Sequence, residues 1–200
     1  MKHLLLCSVV FASLCFSTQL HAQKNREANN LARQGTEAAN NKQWDQAVDS
    51  LRKAAEMDHK YAPNLAVALQ QRASAYMAEQ KFPEALADFS EALKIRPKDA
   101  GILERRAYAE MKLNDLDKAL ADYSEAIKLA PNEVRYYLVR SYILEMKGDY
   151  KNSMVDTEKI LKVQKDNPEA QARKARLLAR QAQDAPPPPP PPNNPQPKKP

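Results

Sequence analysis

The chain has 200 residues and a net charge of +6, with 28% charged residues, 6% aromatic residues and only three glycines. That length suits one domain with tails. The dearth of glycine beside abundant Ala, Leu, Lys, Glu and Gln argues against a sheet-based fold and against a glycine-rich phosphate loop. Nor does the charge mark a nucleic-acid binder, which would carry a basic stripe on its folded body. Residues 23–168 hold 24 Lys+Arg against 23 Asp+Glu, and most of the excess sits in Arg173, Lys174, Arg176, Arg180, Lys198 and Lys199.

At the N-terminus, Lys2 and His3 precede an apolar run over 4–16. That run is shorter than the roughly 20 residues a membrane-spanning helix needs. A polar stretch follows and reaches a small residue at Ala22, so the pattern predicts a secretory signal peptide over 1–22, cut after Ala22. An uncleaved membrane anchor is the alternative. A lipoprotein signal is disfavoured, because Leu6 and Leu14 stand before Cys7 and Cys15 where a small residue is needed. Cleavage removes both cysteines and leaves His59 as the one histidine. An exported chain without disulfides must then be held by core packing alone. Its expected destination is the periplasm or the outside, with at most peripheral association with an envelope surface.

From there the chain repeats. Residues 85–97 read ALADFSEALKIRP and residues 119–131 read ALADYSEAIKLAP, nearly identical and 34 positions apart. Such a period signals stacked supersecondary units. In chain order, a unit over 28–61 offers Gly35, Ala47, Leu51 and Ala54, with His59 near its end. A unit over 66–99 offers Ala73, Ala85, Phe89, Ala92 and Pro97. The next, over 100–133, offers Ala107, Ala119, Tyr123, Ala126 and Pro131, and one over 134–167 offers Ser141, Ser153, Thr157, Ile160 and Lys165. Turn signals fall at Asn40 and Asn41, at Asn114 and Asp115, and at Lys147, Gly148 and Asp149. The step from Ala47 to Ala85 is four residues longer than the repeat, about one helical turn. It predicts an extended helix end or a small loop over 58–64, with Pro63 near the next helix start. Asn167, Pro168 and Glu169 then open a polar helix, a solvating cap over 168–184. Over 185–200, Pro186 begins seven consecutive prolines and Lys198 and Lys199 close the chain. This tail is expected to be extended polyproline II, either an inert spacer or a ligand for an aromatic-lined groove.

The 34-residue spacing resembles the tetratricopeptide repeat over about residues 25–168. Small residues at the eighth and twentieth positions of such a unit let two helices approach closely. A large residue at the twenty-fourth fills the gap to the next unit, and proline at the thirty-second stops the second helix. The resemblance implies an all-α fold: a right-handed superhelical solenoid of antiparallel hairpins, four units plus the capping helix. It also implies that the first helix of each unit lines a concave groove through its second, fifth, ninth and twelfth positions. These are Asn29, Ala32, Thr36 and Ala39; Val67, Gln70, Ser74 and Met77; Gly101, Glu104, Tyr108 and Met111; Arg135, Leu138, Tyr142 and Glu145. The adjacent sixth position adds Arg33 and Arg105. The expected groove is polar and shallow in its N-terminal half, and aromatic and mixed in charge in its C-terminal half. Some family members grip a C-terminal carboxylate with a Lys/Asn/Arg clamp. Here Ala32 and Thr36, and Glu104 and Tyr108, occupy clamp positions, which argues against that ligand.

Catalytic constellations are missing from the sequence. One histidine and no cysteine in the mature chain exclude Ser-His, Cys-His and histidine-rich metal arrangements. His59 reads as a cap or loop residue. The carboxylate pairs Asp88 with Glu91 and Asp122 with Glu125 recur at one repeat position and read as solvated helix faces. A hydrolase would need facing groove carboxylates, for which only Glu104 and Glu145 are candidates. The expectation is therefore a protein or peptide partner, with no cofactor, nucleic acid or small-molecule substrate. The proposed role is an exported adaptor; the alternative is an envelope spacer or anchor acting through the tail.

Overall fold

The computed structural model describes the backbone over residues 2–184 and side chains over 19–183. The apolar run over 4–16, as side chains, and the tail over 185–200 lie outside it. Helices follow in the order α1 (Lys2–Asn40), α2 (Trp44–Met57), α3 (Ala62–Ala78), α4 (Phe82–Ile95), α5 (Ala100–Lys112), α6 (Leu116–Leu129), α7 (Val134–Met146), α8 (Tyr150–Val163) and α9 (Pro168–Asp184), with one 3-10 turn at His59–Tyr61. Odd and even helices pair as hairpins, α1 with α2 through α7 with α8, and each even helix also packs on the next odd one. Beyond a light touch between α1 and α3, the main contacts are between helices adjacent in the chain. This is the quasi-one-dimensional connectivity of a solenoid.

Helix boundaries have local causes. Asp99 accepts from the Gly101 and Ile102 amides, Asp115 from Lys118 and Asp149 from Asn152, so three helix starts are capped by aspartate. Each hairpin turn passes through one left-handed residue: Lys42 (φ 58°), Gln80 (φ 61°), Asn114 (φ 61°) and Gly148 (φ 78°). Only Gly148 and Asn114 are residue types suited to that conformation; the turn at Lys42 follows the Asn40 and Asn41 signal, and the one at Gln80 has no such signal in the sequence. The four extra residues resolve as a longer helix: α3 has 17 residues where α5 and α7 have 13. The addition precedes Ala66, begins at Ala62 and carries Pro63 in the first turn, while the connection into α3 keeps the length of those that follow.

The small positions carry the close approach. Ala47, Ala73, Ala85, Ala107, Ala119, Ser141 and Ser153 are fully buried, with Phe89, Tyr123 and Thr157 beside them. At Gly35 a β-carbon would stand 2.6 Å from Leu51 Cγ, too close for any side chain without a shift of α1 against α2.

A second, polar periodicity runs through the stack. Arg72 donates Nε and Nη2 to Asp88, Arg106 to Asp122 and Arg140 to Asp156, all at 2.7–2.8 Å and all 16 residues apart. Each pair ties the two helices of one hairpin. The remaining guanidinium nitrogen reaches back one unit, to Asp45, Ser90 or Ser124. The expectation of solvated faces at Asp88 and Asp122 is therefore corrected: these carboxylates are 4% and 6% exposed. Helical spacing alone could not show that an arginine on the opposing helix turns inward to meet them. Their three-apart neighbours do lie toward solvent. Glu91 is half-buried and takes a bidentate bond from Arg52 on α2, and exposed Glu125 pairs with Lys128.

Removing one partner of a buried pair leaves an uncompensated charge, at a cost of about 3 kcal/mol, whereas replacing both with apolar residues is close to neutral. Arg106→Met is accordingly expected to lower the urea midpoint strongly. Arg106→Met with Asp122→Leu should recover most of the loss, as read by circular dichroism.

Candidate functional site

The odd helices α1, α3, α5 and α7 carry the positions expected to line the groove. Tyr108 and Tyr142, one repeat apart, are each 45% exposed. Lys112 places its ammonium 5.1 Å from the Tyr108 ring centroid. Met77 and Met111 are half-buried at the same level of their helices, and both pack against the core. Arginines lace this face from one unit to the next. Arg105 Nη1 reaches Ser74 Oγ at 3.5 Å, and Arg135 Nε meets Glu104 Oε1 at 3.0 Å with its guanidinium 5.5 Å from the Tyr136 ring. Burial holds Glu104 above the usual carboxylate range despite the opposing pull of Arg135 and Arg105.

The two ends of the face differ. Arg33 and Thr36 are exposed and Gln70 is half-buried. The Thr36 and Ser74 hydroxyls turn back to the Ala32 and Gln70 carbonyls, so they present little donor capacity outward. Tyr61 donates to Asn29 across the first step. The N-terminal half is not shallow throughout: a cavity of about 310 Å³ opens between α1 and α3, lined by Ala39, Leu51, Pro63 and Val67 among others. At the C-terminal end, Leu138 is half-buried and Glu145 is covered by α9. Arg176 and Arg173 donate to Glu145, which holds its carboxyl below the usual range. Glu104 and Glu145 are thus each engaged by separate arginines, not arranged as a facing pair.

Sequence reasoning missed Arg173. It is 1% exposed and donates to Ser141 Oγ, the Leu138 carbonyl, Glu145 and Glu169. Ser153 and Thr157 complete a polar core in the last hairpin by donating to the Ser141 and Ser153 carbonyls. The serines standing where alanine is usual were the available signal.

Glu110 was also missed. It is 5% exposed, and its Oε2 has no hydrogen-bond partner. It lines a cavity of about 370 Å³ between α4, α5 and α6 with Leu86, Ser90, Arg106, Lys118 and Asp122. Nearby cations are already engaged, Arg106 by Asp122 and Lys118 by Asp115. Burial, and then the Asp122 charge, raise Glu110 from 4.5 to about 7. The same repeat position holds Tyr76 and Leu144 in the neighbouring units. Among the described residues, no cluster of three or more His, Cys, Asp or Glu could hold a metal ion.

With this geometry in place, comparison with known proteins assigns the chain to a family. The tetratricopeptide repeat family matches residues 32–100, 71–134 and 104–162, together well over half the chain. The chain is a tetratricopeptide repeat protein. No curated protein matches it. Among solved structures, YrrB, titled a tetratricopeptide repeat protein with an unusual peptide-binding site, aligns with TM-score 0.62 at 16% identity, covering 84% of each chain. A tetratricopeptide repeat protein from Parabacteroides merdae aligns with TM-score 0.57 at 23% identity, over 79% of this chain and 61% of that one. The second such domain of human RPAP3, solved with an HSP70 peptide, aligns with TM-score 0.53 at 20% identity, over 58% of this chain and 98% of that one. At these identities the likeness shows the fold. Tetratricopeptide repeats are protein-interaction scaffolds rather than catalytic folds, and they commonly mediate protein–peptide contacts.

Because the folded-state pKa of Glu110 lies above its unfolded value, ionising it costs folding stability. The native chain is unaffected below pH 4.5 and progressively loses up to about 3 kcal/mol as pH rises to about 7. Glu110→Leu is expected to raise the melting temperature by a margin that grows across this window and is flat above it. A margin independent of pH would show that Glu110 is not ionised against a cost.

Proposed function

We propose that this tetratricopeptide repeat protein is an exported interaction adaptor whose groove holds a peptide or helix of an envelope or secreted partner. The observation that carries the reading is the pair Tyr108 and Tyr142. Two large aromatic side chains stand half-exposed at one repeat position, flanked by Met111, Arg105 and Arg135. Tyrosine and arginine are the side chains enriched where interfaces concentrate their binding energy. A partner that covers both rings would bury apolar surface while leaving their hydroxyls at a polar rim. The clamp departures at Ala32, Thr36, Glu104 and Tyr108 weigh against a ligand read through its terminal carboxylate. Ala32 is buried, and Glu104 would repel such a group.

Export is supported by where packing begins. The described side chains from Gln19 to Lys24 are all solvent-exposed, and Ala28 is the first fully buried residue. Cleavage after Ala22 would therefore remove no core contact among the described residues. Expression in a bacterial host, followed by N-terminal sequencing of the envelope fraction, is expected to give Gln23 or a residue within one turn of it. Recovery of an intact Met1 in the membrane pellet would favour an uncleaved anchor instead.

Partner capture from native envelope extract tests the adaptor itself, with three baits: the mature chain, the mature chain carrying Tyr108→Ala and Tyr142→Ala, and one with its seven consecutive prolines replaced by serine. A specific partner should be lost with the tyrosine substitutions and kept with the serine tail. Removing two interface tyrosines should weaken binding by at least about 30-fold, at more than 1 kcal/mol each. Loss with the serine tail alone would move function to the tail and overturn the adaptor reading.

A further inference from the structure

Two clefts of this chain are built from the same positions. One opens between α4, α5 and α6 and the other between α6, α7 and α8, and each lining residue of the first has a counterpart 34 positions on in the second. Leu86 corresponds to Leu120, Ser90 to Ser124, and the Arg106–Asp122 pair to Arg140–Asp156. Three positions differ. On the odd helix the first cleft has Glu110 where the second has Leu144, and on the even helix it has Lys118 and Ala121 against Asn152 and Val155. The first is also the larger, at about 370 Å³ against about 290 Å³. The repeat closes this cleft well enough with leucine, so the carboxylate is particular to one place.

That carboxylate is 5% exposed, and its Oε2 is the one buried side-chain nitrogen or oxygen without a hydrogen-bond partner among the described residues. The cations around it are engaged elsewhere. Arg106 gives Nε and Nη2 to Asp122 and Nη1 to Ser90, and Lys118 gives Nζ to Asp115. With those charges cancelled in pairs, the charge of Glu110 is left over.

We propose that the α4–α5–α6 cleft receives a primary ammonium group on an unbranched alkyl chain, from a lysine side chain or a free alkylamine, with Glu110 as its carboxylate. A single unpartnered oxygen suits a point donor; a guanidinium fork asks for two. Metal binding is disfavoured, because the described residues hold no cluster of three or more His, Cys, Asp or Glu suited to an ion. The methylenes of the ligand would lie against Leu86 and Ala121, and the volume falls at the lower end of small-molecule sites. The last torsion of a glutamate is broad, so the carboxylate can turn toward the cleft at little cost. Ligand and proton then compete for one group, since burial and the Asp122 charge raise Glu110 to about 7. The other charges facing it are Arg106 on its own helix and Asp115 and Lys118 at the start of α6, while α4 lines the cleft only with Leu86 and Ser90.

Titration of the purified chain with n-butylamine, read by melting temperature and by the carboxyl NMR signal of Glu110, tests this. It does so apart from the adaptor reading, because Glu110 stands two residues from Tyr108, about 200° round α5. The expected Kd is about 1 mM at about pH 8 for so small a probe. It should weaken about tenfold at about pH 6, where the proton holds the site. At ten times Kd the melting temperature should rise by about 4 °C. Neither Glu110→Gln nor n-butanol, the neutral probe of the same length, should give that rise. A blocked Ala-Lys-Ala peptide that binds as well as the free amine supports a protein lysine as the source, and binding of the free amine alone supports a small amine. Equal stabilisation of the native and Glu110→Gln chains, or a Glu110 signal that n-butylamine does not move, overturns the site and leaves a proton or a water as sufficient partner. Binding that appears only in Lys118→Gln would make Lys118 itself the occupant, and would overturn a foreign ligand.

Discussion

Two helices can close to interior packing distance only where the side chains between them are small, and this protein meets that demand in each hairpin. Gly35 against Ala47 and Leu51, Ala73 against Ala85, Ala107 against Ala119 and Ser141 against Ser153 are one constraint met four times. The closeness of each hairpin leaves an apolar edge too narrow to bury itself, so the next hairpin must cover it. Phe89 and Tyr123 fill the space between neighbours. Tyr108, Tyr142, Arg105 and Arg135 stand exposed because the inward positions are spent on this packing and the outward ones are released from it.

The arginine–aspartate pairs add direction to that packing. Apolar contact tolerates a helix sliding or rotating by a fraction of a turn; a bidentate guanidinium does not. Repeating the pair at Arg72, Arg106 and Arg140, each with a third bond into the previous unit, sets the rotation between successive hairpins as well as the register within each. At the C-terminal end Arg173 takes over with a different partner set. Ser141 accepts from the Arg173 guanidinium, which an alanine there could not do. That one departure of the fourth unit goes with a charged cap.

The fold was legible because 34-residue spacing, small-residue markers and helix-stopping prolines are local signals, and the strong middle units, with Ala85 to Pro97 echoed at Ala119 to Pro131, anchor the frame for the weaker ones. What lay beyond it were contacts across the stack. Nothing in the spacing of Asp88 and Glu91 distinguishes an aspartate met by an arginine from one facing water. Likewise Arg173 and Glu110 read as surface residues of polar helices, and only the approach of α9 to α7 and of α4 to α5 and α6 removes them from solvent. For the groove, residue positions could be counted from the repeat, but the internal pairings of Glu104 and Glu145 could not. Those pairings decide which side chains are available to a partner.

Serial connectivity has a mechanical meaning. With most packing between helices adjacent in the chain, a pull on the two ends passes through every interface in turn, and the load is shared across units by side-chain bonds such as Arg52 to Glu91 and Arg135 to Glu104. The first hairpin has Gln34 and Ser50 where its successors place the arginine and the aspartate. It therefore lacks the charged rivet that locks α3 to α4, α5 to α6 and α7 to α8. Under tension such a chain lengthens from that end, one hairpin at a time. The α5–α6 hairpin that bears Tyr108, with a riveted neighbour on each side, yields later than the first.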